Sequence, residues 1–386
     1  MLTRLLFCLA LLLPLSSAHA GPWQQTLSDA RGQTVYFNAW GGSQEINTYI
    51  RWAGAEVKKR YGIRLVHVKV TDISDVVGRI LAEKVAGKTR DGSVDMIWIN
   101  GENFKAMKEA GLLHGPFVKE LPNDTLVDRE RLQVDRDFTV PVEGLEAPWG
   151  VGQLNLIFDP QRTPEPPTNA ASLLAYAKAH PGRVAYPMPP EFHGSSFLKQ
   201  VLLDLTDDPA PLYNPASEAD VARVTAPLWR WLDALHPVAW RRAGAFPTGS
   251  SHMVQLLDDG EIDLAISFNP QDARAKAAQG LLPAGARSLV FDMGALTNSH
   301  FLAIPYNSDA KAASKVVINF LLSPEAQARK ADTDIWGDPA VLAMARLTPE
   351  EQALFKTAPA LCKSVAEPHP SWMTALEKEW NKRYGQ

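Results

Sequence analysis

The chain is short of cysteine, of single-sign charge runs and of long apolar stretches. Only Cys8 and Cys362 occur among 386 residues, too few for a disulfide framework. The formal net charge is −4, with no basic stripe of the kind nucleic-acid binders carry and no polybasic segment for a membrane surface. Beyond Leu5–Leu15 nothing approaches the length needed to cross a bilayer. Enzyme signatures are missing too: there is no G-x-S-x-G, no G-x-G-x-x-G and no G-x-x-x-x-G-K-S/T. The nine histidines show neither H-x-H nor H-x-x-x-H spacing, so no metal and no cofactor is expected.

What is present points to a folded, exported protein. A hydrophobic content of 46% with 21% charged residues excludes a disordered chain. The length suits two or three domains, or one large two-lobed one. Arg4, the apolar run Leu5–Leu15 and the small residues Ala18 and Ala20 form a secretory signal, predicted to be cut after Ala20. Losing Arg4 takes the formal charge from −4 to −5 and leaves Cys362 as the one cysteine, unable to form an internal disulfide. Cys8 lies inside the apolar run, which argues against a lipid anchor.

The body alternates. Strands are expected at Thr34–Asn38, Ile63–Val70 and Val94–Ile99, each rich in β-branched or apolar residues. Helical spacing marks Ile46 to Val57, Ile73 to Leu81 and Phe104 to Ala110 between and after them. Such alternation predicts a mainly parallel sheet flanked by helices. Prolines 116, 122, 141 and 148 then break the pattern. A second α/β unit is expected over about 150–290, with strands at Gln153–Phe158, Val184–Tyr186 and Asp263–Phe268. The Trp229/Trp231 helix reads as core. His300–Ile304 is a further strand and Ala310–Leu322 a further helix, followed by a mostly helical tail.

Polar, glycine-containing loops follow the strands. Asn38-Ala-Trp40-Gly41 ends the first, Asn100-Gly-Glu102-Asn103 the third, and Asn269 follows Asp263–Phe268. Tyr186 leads through a proline-rich turn to Ser195. In an open parallel sheet, ligands sit beyond the carboxyl ends of strands, where helix N-termini offer free N–H groups.

Four stretches resemble extracytoplasmic solute-binding proteins of ABC importers. They are V-D-M-I-W-I-N-G-E-N-F (94–104), A-P-W-G-V-G-Q-L-N-L-I-F (147–158), N-S-H-F-L-A-I-P (298–305) and A-S-K-V-V-I-N-F-L-L-S-P-E-A-Q (313–327). With F-N-A-W-G-G (37–42) and W-G-D-P (336–339), the chain is similar to the YnjB-type subgroup, related to thiamine, iron and polyamine binders. The resemblance implies an α/β, two-lobed type II periplasmic-binding fold, each lobe a mainly parallel sheet flanked by helices. It implies a signal peptide (1–20), lobe 1 (24–148 with a return at 296–334), lobe 2 (149–295) and C-terminal helices (335–386) packed on lobe 2. Solute is trapped between the lobes by a hinge motion and delivered in the periplasm to a membrane permease and its ATPase, with no bond made or broken. The protein itself is expected to be a monomer, without nucleic acid and without membrane insertion.

The resemblance places solute contacts at Asn38, Trp40, Gly41, Asn100, Glu102, Asn103, Trp149, Tyr186, Ser195 and Asn269. No Tyr-Tyr pair occurs, which disfavours iron, and these loops contain no arginine for an anion. Tryptophan faces beside a carboxylate suit an organic cation, thiamine-like or polyamine-like. Two other readings compete. One is a secreted hydrolase in which Glu102 pairs with a second carboxylate such as Glu143 or Glu146. The other is a binding fold that signals to a membrane receptor.

Overall fold

The computed structural model describes residues 21–356 and 361–385; the predicted signal segment lies outside the described residues. Helix α1 (Pro22–Ala30) leads into β1 (Thr34–Trp40), α2 (Gln44–Tyr61), β2 (Arg64–Val70), α3 (Ile73–Val85), β3 (Met96–Ile99) and α4 (Gly101–Glu109). The local chemistry explains these boundaries. Ser43 caps α2 by accepting from the Ile46 N–H at 3.3 Å, and Gly62, at φ 71°, ends it in the left-handed conformation. Ile46, Tyr49, Ile50, Ala53 and Val57 give α2 one buried face. β1 pairs in parallel with β2 on one side and β3 on the other.

A hairpin, β4 (Arg136–Asp137) and β5 (Val140–Pro141), precedes two consecutive strands, β6 (Glu146–Gln153) and β7 (Asn155–Phe158). The second unit then supplies α5 (Ala170–Ala179), α6 (Phe192–Leu205), α7 (Glu218–Leu235), α8 (Ser250–Asp258), β8 (Ala265–Ser267), α9 (Asp272–Ala278) and β9 (Arg287–Leu289). β10 (Ala295–Ala303) returns to the first unit, followed by α10 (Lys311–Leu321), α11 (Pro324–Ala331), α12 (Pro349–Gln352), β11 (Ser364–Ala366) and α13 (Pro370–Tyr384).

The crossing strands β6 and β10 join the lobes. They run antiparallel from Thr297↔Gln153 to Ala303↔Glu146, with an irregularity between His300 and Phe301. One end of β10 also pairs with β3, the other with β11. The large sheet therefore runs β11-β10-β3-β1-β2. The expected parallel arrangement holds for β2-β1-β3. In the second lobe it does not: β7, arriving from the crossover, lies centrally and antiparallel to both β8 and β9. Val184–Tyr186 is buried but forms no ladder; the Asp263 N–H donates to the neighbouring Arg183 carbonyl.

Each lobe has its own core. One apolar cluster joins Phe37, Tyr49, Trp149 and Leu302, and another joins Ile157, Leu202, Trp231 and Leu264. Burying a Leu, Ile or Phe side chain contributes about 1.5–3 kcal/mol. The stretch expected to pack on lobe 2, 335–386, divides between the cores. Trp336, Val341 and Leu342 join the first, whereas Trp372, Leu376 and Trp380 of α13 join the second.

Candidate functional site

A cleft of about 940 Å³ opens between the lobes, large enough for a small organic molecule. The lobes touch across it. Lys276 of α9 donates to Glu45 of α2 at 2.6 Å, the Ser251 hydroxyl to the Gly42 carbonyl at 3.2 Å, and the Asn269 amide to the Trp336 carbonyl at 2.9 Å. Burial works to raise the Glu45 carboxyl, but Lys276 and Ser43 outweigh it and hold it down at about 2.

Of the ten predicted contact residues, Trp40, Asn100, Glu102, Asn103 and Asn269 line this cleft, and the other five do not. Trp40 ends β1 and faces His193 across the cleft, ring centroids 6.5 Å apart. Asn100 to Asn103 form the turn from β3 into α4. Gly101 makes that turn at φ 61° against the Phe138 ring, where a Cβ would collide, and its N–H donates to Asp137 at 2.6 Å. The turn lifts Glu102 into the cleft wall, where the Asn103 amide donates to it at 2.9 Å.

The five that miss the cleft are structural. Asn38 is buried in β1, its oxygen accepting from Arg79 at 2.7 Å. The Gly41 N–H closes the loop onto the Val70 carbonyl. Trp149 is fully buried behind the cleft wall, its ring 5.0 Å from Trp98 and 5.3 Å from Trp336. Tyr186 is buried with its hydroxyl on His236 (2.7 Å) and Trp380 (2.9 Å). Ser195 is buried and donates to Glu377 at 2.6 Å, so it positions a cleft carboxylate rather than lining the cleft.

Residues outside the predicted set complete the lining. Trp98, Phe192, Phe268 and Trp336 supply aromatic faces. Asp72, Glu191, Asp272 and Glu377 join Glu45 and Glu102 as acids. Against them, among the described residues, stand one lysine, Lys276, and the histidines His193 and His300, with no arginine in the lining. Burial pushes the Glu102 carboxyl up to about 7 and raises Asp272 and Glu377 as well. For Glu191, burial works upward, but the His193 ring and Gly194 N–H hold it below the usual carboxylate range. At the floor, Asp338 accepts from His300 at 3.2 Å and pairs with the buried Lys330. Neither proposed hydrolase partner reaches Glu102's cleft. Glu143 is exposed beside Lys108 (3.0 Å), and Glu146 is buried in β6. Among the described residues, no three His, Cys, Asp or Glu side chains converge to hold a metal ion, and no helix is long and apolar enough to cross a membrane.

The fold and cleft have known counterparts. Residues 52–361 match the family described as bacterial extracellular solute-binding protein. Protein YnjB of Escherichia coli (strain K12) is 48% identical over 371 residues, covering 96% of this chain and 95% of that one. The periplasmic binding protein AfuA from Actinobacillus pleuropneumoniae, solved with fructose-6-phosphate bound, superposes with a TM-score of 0.64 at 14% identity, covering 92% of this chain and 96% of that one. The spermidine/putrescine ABC transporter substrate-binding protein PotD from Streptococcus pneumoniae superposes with a TM-score of 0.61 at 14% identity, covering 92% of this chain and all of that one. These neighbours show the type II periplasmic-binding fold. The chain belongs to the bacterial extracellular solute-binding proteins, the receptor components of ABC transporters.

Proposed function

We propose that this receptor captures an organic cation, thiamine-like or polyamine-like, between its lobes and delivers it to an importer permease. One observation carries the reading. Among the described residues, seven carboxylates, one of them (Asp338) already paired with Lys330, and several aromatic faces line the cleft, while the one lysine of the lining is paired with Glu45 and no arginine is present. An ammonium over a tryptophan face gains roughly 0.5–2 kcal/mol, and desolvated carboxylates add Coulomb attraction. An anionic solute would meet repulsion from the same groups. PotD, named as a spermidine/putrescine binder, shares the fold. Under this reading the chain is exported after cleavage at Ala20, acts in the periplasm as a monomer, and closes lobe 1 (24–148, 296–334) upon lobe 2 (149–295).

A thermal-shift panel of thiamine, polyamines, amino acids, sugars, oxyanions and metal ions tests it. Solute at 100 times its dissociation constant stabilises by about 2.7 kcal/mol. Shifts confined to organic cations, with no turnover of the solute, are the expected result. A shift with sugars or oxyanions alone would overturn the reading, and turnover lost in Glu102→Gln would favour a hydrolase.

A further inference from the structure

We propose that the cationic group of the solute binds between Glu102 of α4 and Glu377 of α13, one carboxylate from each lobe, and that its arrival expels a proton from this pair. The proposal rests on the organic-cation reading and adds where the charge sits and what it displaces.

The acids of the cleft fall into two groups. On the Trp40 side, Glu45 has Lys276 at 2.6 Å and Glu191 has His193 at 2.8 Å. The α4–α13 side has no such matching. Glu377 receives the neutral Ser195 hydroxyl, and Glu102 the Asn103 amide and its own backbone N–H, none of them a cation. The one nearby cation, Lys199 of α6, is buried with its Nζ on Glu367 at 2.7 Å, and the Asn298 amide donates to the same carboxylate. The remaining titratable neighbours are Asp137 of β4, raised by burial, whose carboxyl oxygen accepts from the Gly101 N–H, and Asp72 before α3, which caps that helix. Among the described residues, Lys199 is thus the ammonium that Glu102, Glu377, Glu367 and Asp137 have in common.

Glu102 and Glu377 both line the cleft on helices that pack with different lobe cores, and two carboxylates so placed repel, which opposes closure. A proton or a cation relieves it. In the empty cleft the proton does so, in keeping with the raised Glu102 and Glu377 carboxyls. When an ammonium enters, the carboxyl O–H breaks, the carboxylate keeps the electron pair, and the proton leaves to solvent. The solute retains its own protons, so the exchange is one cation for one proton.

Calorimetric titration of the purified protein with putrescine, spermidine and thiamine, in buffers of contrasting ionisation enthalpy at pH 6, 7 and 8, tests this. Expected is release of up to one proton per solute at pH 6, falling towards none at pH 8. Affinity should rise by about tenfold over that range, as follows for one carboxyl near pH 7. Glu102→Gln should weaken binding at pH 8 by tenfold or more and remove the buffer dependence. Glu377→Gln should weaken it too, with thermal unfolding confirming that both variants fold. Cation binding that shows no proton release and survives both substitutions overturns this placement alone. Binding of neutral or anionic solutes but of none of these cations overturns the organic-cation reading with it.

Discussion

Tryptophan serves two purposes here, and burial separates them. Trp40 presents its ring to the cleft, whereas Trp149 is fully enclosed by Phe37, Tyr49, Trp98, His300 and Trp336. Trp40→Ala should weaken cation binding by about 0.5–2 kcal/mol and leave the unfolding midpoint nearly unchanged. Trp149→Ala should destabilise by about 3–5 kcal/mol. Titration and thermal melts on the same samples read both; reversed behaviour would sink the assignment. Lys330 is a third case: fully buried, it bonds Asp338 and the Pro339 carbonyl (2.8 Å). Burial lowers its pKa although Asp338 favours the charged form. Lys330→Ala leaves the buried Asp338 with His300 as its remaining charged partner and should cost about 3–5 kcal/mol in denaturant unfolding.

At the scale of elements, the crossover strand β6 was the least legible. Pro148 read as the end of an irregular stretch and the expected strand began only at Gln153, yet 146–153 is one eight-residue buried strand. Its glycines are there because neighbours approach closely. A Cβ on Gly150 would overlap the Asp338 carboxylate and the His300 ring, and one on Gly152 would press on Phe268. Gly150→Ala should therefore destabilise by about 1–3 kcal/mol and disturb the cleft floor. Unchanged melting and unchanged tryptophan fluorescence would contradict this. Helix α13 was read as a tail helix, but its Glu377 lines the cleft and its Trp380 fills the second core. Nothing in its local pattern distinguishes a helix that caps a site from one that only covers a core.

For the molecule as a whole, the carboxyls link stability to pH. Glu102, Asp137, Glu146, Asp272 and Glu377 are raised by burial, so the folded state keeps protons that the unfolded chain gives up near pH 4–4.5. Their contribution falls as pH rises, for Glu102 between about 4.5 and 7. Glu45 acts in the opposite sense: its stabilisation is present above about 4.5 and lost as pH falls towards 2. On these groups the solute-free protein should melt highest near pH 4–5 and lower at pH 8. Glu102→Gln should flatten the decline, and a midpoint that rises steadily to pH 8 would refute the balance. The Glu45–Lys276 bridge bears on closure itself. Lys276→Ala should shift the solute-free protein towards open forms, read as a larger radius of gyration in solution scattering.

Much of this was settled by sequence. Local patterns set β1, β2, β3 and the helices between them, because side-chain periodicity and caps act over a few residues. The motifs at 94–104 and 313–327 carried the family. The place of the Asn100–Asn103 turn on the cleft was legible because polar loops after parallel strands lie at the open end of the sheet. Tertiary structure alone decided which polar residues reach the cleft. Asn38 and Asn100 each close a strand, yet one is sealed in β1 and the other lines the opening. It also brought Glu377, 275 positions after Glu102, to the same end of the cleft. Burial and charge pairing depend on what the remainder of the chain packs against a residue, and that sum over distant neighbours is not written in any local stretch.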